Sequence, residues 1–526
     1  MNKRGIVVLL SAMFIYAAAQ AQDESDALRY SRLTSGGTAR AQAIGGAMGS
    51  LGGDISAMSV NPAGIGIFKT NEFSITPGFR SLNNDASYYN TSASDSKSSL
   101  FLQNGGFIFA SNKKRNSNSQ WQNVTFGIGV NRLANFNSNL FYQGNNSTSS
   151  YADNYLIDLS SETNTDNAQN NYPFGPSQAI RTYVIDPYFN DNNQFDAWTS
   201  RPGQVLADGK SLIQSNSIAT KGGLNEFSLA VAGNYANKFY IGGSLNIPSI
   251  KFDRTKTFRE TNPGDANAQF DYYDNTEITS TDGVGVNGKL GLIYSPQPAI
   301  RLGAAFHTPT IYSMHDTYST TITAQSVDDQ GQSGVFTSST EDITGGYPGE
   351  YQYSLTTPWR AVGSVSYIFN VTPNVAEQHG FITLDYEYVN YAAMRYHFNS
   401  SDATAGDKAL ADELNQSIKH LYKGASNVRV GGELKFDLLA VRAGFAYYGS
   451  PYADNSVSNG TRMLYSGGLG YRNRGFYIDL TYVYEHDEDM DQPYYVQPNS
   501  LNVPSPEAAT YTSGGSNVIF TLGFKL

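Results

Sequence analysis

The side chains best suited to chemistry are few. The chain has six histidines, His307, His315, His379, His397, His420 and His486, and none pairs with another at the spacing of a metalloprotease or similar site. It has no cysteine, which removes a lipoprotein anchor, disulfides, thiol catalysis and thiolate-bound zinc together. His315 or His486 could supply an axial haem ligand, but no second feature points to haem. Glu485, Asp487, Glu488, Asp489 and Asp491 offer oxygens for calcium; without a glycine-punctuated loop they read as a solvated acidic stretch. The polar segments contain serines in plenty, and no spacing singles out a nucleophile. Neither an enzyme, nor a metal, nor a cofactor is implied.

A second set of charges alternates with apolar residues. In residues 428–436, Val428, Val430, Leu434 and Phe436 share one face, and Arg429, Glu433 and Lys435 share the other. In residues 381–388, Ile382, Leu384, Tyr386 and Tyr388 oppose Asp385 and Glu387, and in residues 476–484, Ile478, Leu480 and Tyr482 oppose Asp479. Residues 124–130 repeat the pattern, with Val124, Phe126, Ile128 and Val130 on one side. A period of two is the signature of a strand with one apolar and one polar face. If such strands close into a barrel, Arg429, Glu433, Lys435, Arg442, Asp385, Glu387 and Asp479 all face the lumen. The favoured reading of these charges is a salt-bridge network bracing the wall against whatever fills the barrel. The other is an arginine that holds a ligand carboxylate.

Soluble sandwiches alternate in the same way with the apolar face turned inward, so the connections must decide. About fourteen strand candidates begin near Glu72, Leu100, Gln122, Glu226, Lys238, Gly283, Ala299, Tyr351, Gly380, Ser426, Leu438, Arg462, Arg474 and Ser516, an even count that suits a bacterial barrel. Tight turns at residues 235–238, 295–298, 435–438 and 471–475 alternate with long polar stretches at 135–223, 260–282, 324–350, 392–425, 449–461 and 485–515. Short turns at one end and long loops at the other characterise a transmembrane barrel, whereas a sandwich has no reason to sort them. Residues 238–258 and 299–323 exceed the roughly 9 to 11 that cross a bilayer and are expected to rise above it. Within the 392–425 stretch, Leu410, Leu414, Ile418 and Leu421 predict a short helix over 408–421. Residues 135–223 are either an ordered external cap or a flexible loop.

Composition agrees. With 37 Tyr, 28 Phe, 51 Gly, 15% charged residues and a mean hydropathy of −0.38, the chain is too polar for a helical membrane protein. A barrel escapes that test because only alternate strand residues meet lipid. The net charge of −11 and pI near 5.1 argue against nucleic acid as a partner. At the start, Lys3 and Arg4 precede an apolar run over 5–18 and a small-x-small site at Ala19-Gln20-Ala21. Residues 1–21 are therefore expected to be a signal peptide cleaved before Gln22, with a retained anchor as the alternative.

Residues 22–68 do not alternate and are rich in Gly and Ala. A barrel of about fourteen strands encloses more room than its own side chains fill, so a small, close-packing segment here reads as a plug; the alternative is a periplasmic linker. Thr38-Ala39-Arg40-Ala41, the glycine pairs, Asp54, Ala57 and Asn61-Pro62-Ala63-Gly64 resemble the N-terminal hatch of the FadL/TodX family, outer-membrane transporters of long-chain fatty acids and aromatic hydrocarbons. Residues 427–432, 441–447, Ser450-Pro451 and Thr357-Pro358-Trp359-Arg360 are similar to the family's later strands. The resemblance implies a fourteen-stranded barrel plugged by the hatch, with ligand entering from outside and leaving sideways or downward after the hatch rearranges. The chain departs from the pattern in ending on Phe524-Lys525-Leu526 rather than an aromatic, although Leu526 stays in phase with Phe520, Leu522 and Phe524.

The expected organisation is thus a signal peptide over 1–21, a hatch over 22–69 and an all-β transmembrane antiparallel barrel over 70–526, monomeric, in contact with outer-membrane lipid and a small hydrophobic substrate. The rigid turn at Asn61, Pro62, Ala63 and Gly64 is the candidate gate: Pro62 has a fixed φ, Asn61 is pushed to extended geometry, and Gly64 and Gly66 permit close approach to the wall. A hydrophobic-ligand channel predicts a plug and an apolar pocket beneath the loops, a general porin predicts no plug, and an adhesin or barrel enzyme keeps its function in the loops.

Overall fold

The alternating segments pair with their neighbours in chain order. A computed structural model describes residues 24–113, 118–264, 269–370, 379–398, 404–454, 459–496 and 503–526. The signal peptide and its cleavage site lie outside the described residues. The wall consists of β1 (Glu72–Tyr88), β2 (Thr91–Asn112), β3 (Trp121–Asn135), β4 (Leu212–Tyr235), β5 (Phe239–Thr261), β6 (Phe270–Gln297), β7 (Ile300–His307 continued by Ile311–Val327), β8 (Gly349–Thr356 continued by Arg360–Phe369), β9 (Gly380–Asn390 continued by Arg395–His397), β10 (Gly424–Phe436), β11 (Leu439–Tyr448), β12 (Arg462–Asn473), β13 (Phe476–Asp491) and β14 (Ala509–Lys525). Each pairs antiparallel with the next, and β14 returns to β1 with Phe524 opposite Phe73, which closes a 14-stranded barrel. Each of the fourteen sequence candidates corresponds to one of these strands, with Lys238, Ala299, Leu438 and Arg474 one or two residues ahead of the strand start.

The outer face is an apolar belt. Ile241 and Leu245 on β5, Leu290 and Leu292 on β6, Leu384 on β9 and Leu480 on β13 are exposed, while Asp385 and Asp479 between them are buried. That inversion, greasy out and polar in, is what lipid requires of a barrel and water forbids a sandwich. On β5 the exposed apolar residues run from Phe239 to Ile247 and give way to the exposed Lys251, which lies 2.9 Å from Asp282 on β6. The belt ends there. The strands do not, since β5 has 23 residues and β6 has 28.

This corrects the expected loop lengths. Polar stretches read as long loops, such as 260–282 and 485–515, are partly strand: β6 begins at Phe270, and β13 reaches Asp491 before β14 starts at Ala509. Above the membrane neither face need be apolar, so alternation disappears while the hydrogen-bond ladder continues. The β1–β2 connection at Tyr89-Asn90 is a tight turn at the long-loop end, an exception to the alternation of short and long. Near the top of the belt β7, β8 and β9 are interrupted at one level. The ladder lapses at Pro309 and Pro358, which lack the N–H it needs, and at the 3-10 turn Tyr391–Ala393.

The long insertion after β3 is an ordered cap. Four short helices (Ala152–Asp158, Thr165–Asn170, Pro176–Arg181, Arg201–Ala207) and a hairpin (Ile185–Phe189 with Phe195–Ser200) bury Leu159, Val184 and Ile185 against Phe270 and Ile322 of the extended strands. Arg201 ties the cap down, binding both Asp186 carboxylate oxygens and donating to the Gln269 and Val327 carbonyls. Beneath the cap, Glu260 at the outer end of β5 accepts from the Tyr151 N–H at 3.1 Å and from Gln214 at 2.7 Å, and burial pushes it from 4.5 up to about 7.

Because the folded cap holds this proton more tightly than the unfolded chain, the carboxyl stabilises the cap below about pH 4.5 and that contribution is lost as pH rises through about 7. The full swing is at most about 3 kcal/mol. Amide protection factors in the cap, corrected for the base-catalysed rise in intrinsic exchange, should therefore be lower at pH 8 than at pH 5, and Glu260→Gln should flatten the difference. A pH response that survives this substitution would locate the titrating group elsewhere.

Candidate lumen gate

Residues 24–68 run down the lumen from the long-loop end to the foot of β1. They form α1 (Glu24–Ser31), α2 (Ala39–Ala43), α3 (Ala57–Val60) and the 3-10 turn Pro62–Ile67. Short polar side chains hold the segment together internally. Thr38 caps α2 by accepting from Ala41 N–H at 3.2 Å and donates to Asp54 at 2.8 Å, and Asp54 also accepts from Ser56 N–H at 2.9 Å. The long-range bonds then go to the wall: Ala39 N–H to Thr521, Thr481 to the Ala39 carbonyl, Ser466 to the Ala43 carbonyl and Asn123 to the Gly66 and Phe68 carbonyls.

All seven wall charges expected to face the lumen take part in ion pairs, and two networks result. In the first, Glu433 accepts from Arg442 Nε at 2.6 Å and from Arg40 Nε of the plug at 3.2 Å, while Arg442 reaches Asp479 at 2.6 Å. Lys435 lies 3.9 Å from the other Glu433 oxygen. In the second, Arg429 sits 3.7 Å from Asp385 and 3.5 Å from Glu387, with Arg360 3.6 Å from Glu387. This network also grips the plug, since Asp385 accepts from Gly49 N–H at 3.0 Å and Arg429 donates to Ser35 at 2.8 Å. The bracing network is what the geometry supports.

The turn at Asn61 is joined to the wall as well as to itself. Asn61 is extended (φ −145°, ψ 100°), its side-chain oxygen accepts from Ala63 N–H at 3.1 Å, and Pro62 opens the 3-10 turn. Its amide donates to Gly49 O at 2.6 Å within the plug and to the Leu292 and Ala304 carbonyls of β6 and β7 at 3.2 and 3.4 Å. Gly66 faces the wall at Gly233. Gly64 does not: a Cβ there would meet Gly52 and Ala57, so this glycine is needed for packing inside the plug.

Sequence reasoning missed the wall glycines that receive the plug. A Cβ at Gly291 would overlap Asn61, at Gly303 the Gly49 carbonyl, and at Gly431 and Gly444 the backbone of Ile44. Without side chains there, wall and plug backbones approach closely enough to exclude water. It also missed Arg40, Arg360, Glu226, Lys289 and His307. Glu226 and Lys289 form a buried ion pair, and each alternates with apolar neighbours in its strand, a signal that could have found them. The His307 ring nitrogen Nε2 lies 2.8 Å from the Val60 carbonyl, so it carries the proton and donates. Among the described residues no cluster of His, Cys, Asp and Glu could hold a metal ion.

Among the described residues, the cavity beneath the loops is of mixed character rather than the expected apolar one. A lumen cavity of about 440 Å³ has a mixed lining, with Arg29, Arg32, Arg80, Arg132 and Arg462 on one part and Leu28, Phe101, Phe136, Phe252, Val483 and Ile519 on another. Apolar residues of that level also pack into one cluster around α1.

No family model matches the chain, and no curated protein does. Among solved structures it is similar to a FadL homologue of Pseudomonas aeruginosa, at 12% identity and a TM-score of 0.51, over 94% of this chain and 98% of that one. It is also similar to the toluene transporter TodX of P. putida, at 12% identity and a TM-score of 0.48, over 94% of this chain and 99% of that one. The closed fourteen-stranded wall, the lipid-facing belt and the N-terminal segment filling the lumen give this chain the fold of the FadL-type outer-membrane barrels.

Proposed function

We propose that the protein is an outer-membrane channel for the uptake of small hydrophobic molecules, of the long-chain fatty acid or aromatic hydrocarbon type, opened by rearrangement of the plug. In this reading residues 1–21 are a signal peptide, 22–69 the hatch and 70–526 a monomeric barrel. The observation that carries it is a lumen filled by a separable segment held through hydrogen bonds, ion pairs and backbone contact. A general porin needs an open lumen. A barrel acting only through its loops needs no plug that can be released without breaking the wall. The Asn61-Pro62-Ala63-Gly64 turn is the proposed gate, because the Asn61 side chain connects two plug segments with two wall strands.

Changing Asn61-Pro62 to Ala-Ala, or deleting residues 22–53, should leave the barrel heat-modifiable on gels. Both variants should abolish saturable uptake of an apolar substrate and leak small polar solutes in liposome swelling assays. Variants that assemble, stay sealed and still transport would sink the gate.

A further inference from the structure

The chain is acidic overall, at a net charge of −11, yet the rim of short turns is basic. Lys69, Lys113, Lys238, Arg474 and Lys525 stand exposed there, and among the described residues Asp437 is the one carboxylate side chain exposed with them. Lys525 lies 3.9 Å from the buried Glu72. No described carboxylate is in ion-pair contact with Lys69, Lys113 or Lys238; Lys113 donates to the Ser119 carbonyl of its own turn at 3.3 Å. These three lysines share one sector of the rim. The Asn112 side chain donates to the Lys69 carbonyl at 2.7 Å, and the Ala236 N–H beside Lys238 donates to the Gln120 carbonyl of the β2–β3 turn at 2.8 Å. In an outer-membrane barrel this rim faces the periplasm and the inner leaflet.

Above this sector the lipid face is hollowed. Most outward positions of the belt carry large apolar side chains, but Gly243 on β5 and Gly288 on β6 carry none, opposite Leu290 and Leu245 respectively. They open a groove of about 690 Å³ walled by Phe109, Phe126, Ile128, Leu229, Leu245 and Leu290. A Cβ at either glycine would meet nothing closer than 3.4 Å, so neither is required by packing within the wall. Aromatic pairs flank the foot of the groove, Trp121 with Tyr235 at 5.5 Å between centroids and Phe239 with Tyr294 at 4.7 Å. Such rings mark the edge of the hydrocarbon. From Lys238 to Leu245 the chain covers roughly 23 Å of strand. At the tilt of a barrel strand this is close to the roughly 15 Å hydrocarbon depth of one leaflet.

We propose that this sector is a docking site for an anionic phospholipid of the inner leaflet, its phosphate held by Lys113 and Lys238 and one acyl chain lying in the groove. The groove continues the lipid-facing belt, and the uncompensated lysines at its foot call for negative charge. The inference goes beyond the channel reading and holds whatever the lumen carries.

Trp121 makes the site measurable. With Trp198→Phe and Trp359→Phe it is the one tryptophan left. Its quenching in phosphatidylcholine bilayers then reports lipids brominated near the carbonyl end of their chains. A lysine near an anionic surface favours it about fivefold, so brominated phosphatidylglycerol should be preferred over brominated phosphatidylcholine by at least about that factor. Lys113→Gln with Lys238→Gln should bring the ratio to near one. Arg474→Gln, in the β12–β13 turn on the far side of the barrel, should leave it unchanged. Gly288→Leu fills the groove and should lower the ratio with both lysines intact. Gly243→Leu repeats that test if the first variant does not migrate as a heat-modifiable barrel. A parent without preference overturns the site and leaves the lysines to a soluble acidic partner. Equal losses in Arg474→Gln and the lysine variant overturn it too, by assigning the preference to the charge of the whole rim. Inorganic phosphate abolishing the preference would reveal a phosphate site with no lipid in it. A ratio unmoved by filling the groove would remove the acyl chain from its proposed seat.

Discussion

Glu433→Ala should unlatch the plug while the barrel remains closed. Among the described residues Glu433 is the only carboxylate bonded to both Arg40 of the plug and Arg442 of the wall, and all three side chains are nearly or wholly buried. After the substitution Arg442 keeps Asp479 at 2.6 Å, but Arg40 retains no carboxylate nearer than Asp54 at 4.0 Å, beside the Gly53 carbonyl and the Phe381 ring. Removing one partner of a buried ion pair costs about 3 to 5 kcal/mol, because the other charge is left without compensation. The wall ladder does not pass through this side chain, so the loss should appear as leakage of small polar solutes in swelling assays, with heat-modifiable migration retained. The double variant Arg40→Met, Glu433→Leu removes both charges and should recover most of the seal. A Glu433→Ala barrel as tight as the parent would mean that the ion pair does not hold the plug.

Leu480→Arg should fail in assembly where Asp479→Asn succeeds. Leu480 is 48% exposed in the centre of the belt on β13, opposite Leu469 and Phe520 on the neighbouring strands. A cation at that depth on the lipid face costs about 2 to 4 kcal/mol. Asp479 points the other way and accepts from Arg442, which retains Glu433 when the carboxylate becomes an amide. An asparagine oxygen can still accept from that guanidinium, so the change weakens a contact without abandoning a charge. The quantity to measure is the fraction of each variant recovered as a heat-modifiable barrel in outer membranes. Similar recovery of both would show that the two faces are assigned wrongly.

The wall was legible in the sequence because lipid imposes a rule on every second residue. Val428 to Phe436 alternates with a single gap at Gly432 on its apolar side, and the segment around Leu480 alternates without one, so the strand count and the inward direction of Arg429 and Asp479 could be read directly. Above the belt the rule lapses. The outer halves of β5 and β6 carry Lys251, Asp253, Asp274 and Asp282, and nothing local distinguishes such a ladder from a loop. The cap was illegible for a related reason. Its helices have six or seven residues each, too short for a helical period to emerge, and they are held by contacts with strands distant in sequence. Composition pointed to a plug, but its attachments could not be seen. Nothing local marked Arg40 as an attachment point, since its partner Glu433 lies 393 positions away. Gly291 and Gly303 look like weaknesses in their strands until the plug backbone is brought against them.

The course of the plug through the barrel limits how the molecule can be made. Glu24 lies beside the external helix Ala405–Leu421, yet residue 71 stands at the opposite rim, where its carbonyl accepts from the Leu526 N–H next to the β1–β14 seam. The described part of the segment therefore spans the height of the cylinder with residue 24 uppermost. Once the seam is zipped, that end could reach its place only by being drawn upward past two sets of buried charges and a lining of backbone with no clearance. Biogenesis must run in the other order: the sheet curls around a segment already lying against it, and the last strand to arrive seals the first inside. The plug then serves as the mandrel on which the cylinder is rolled.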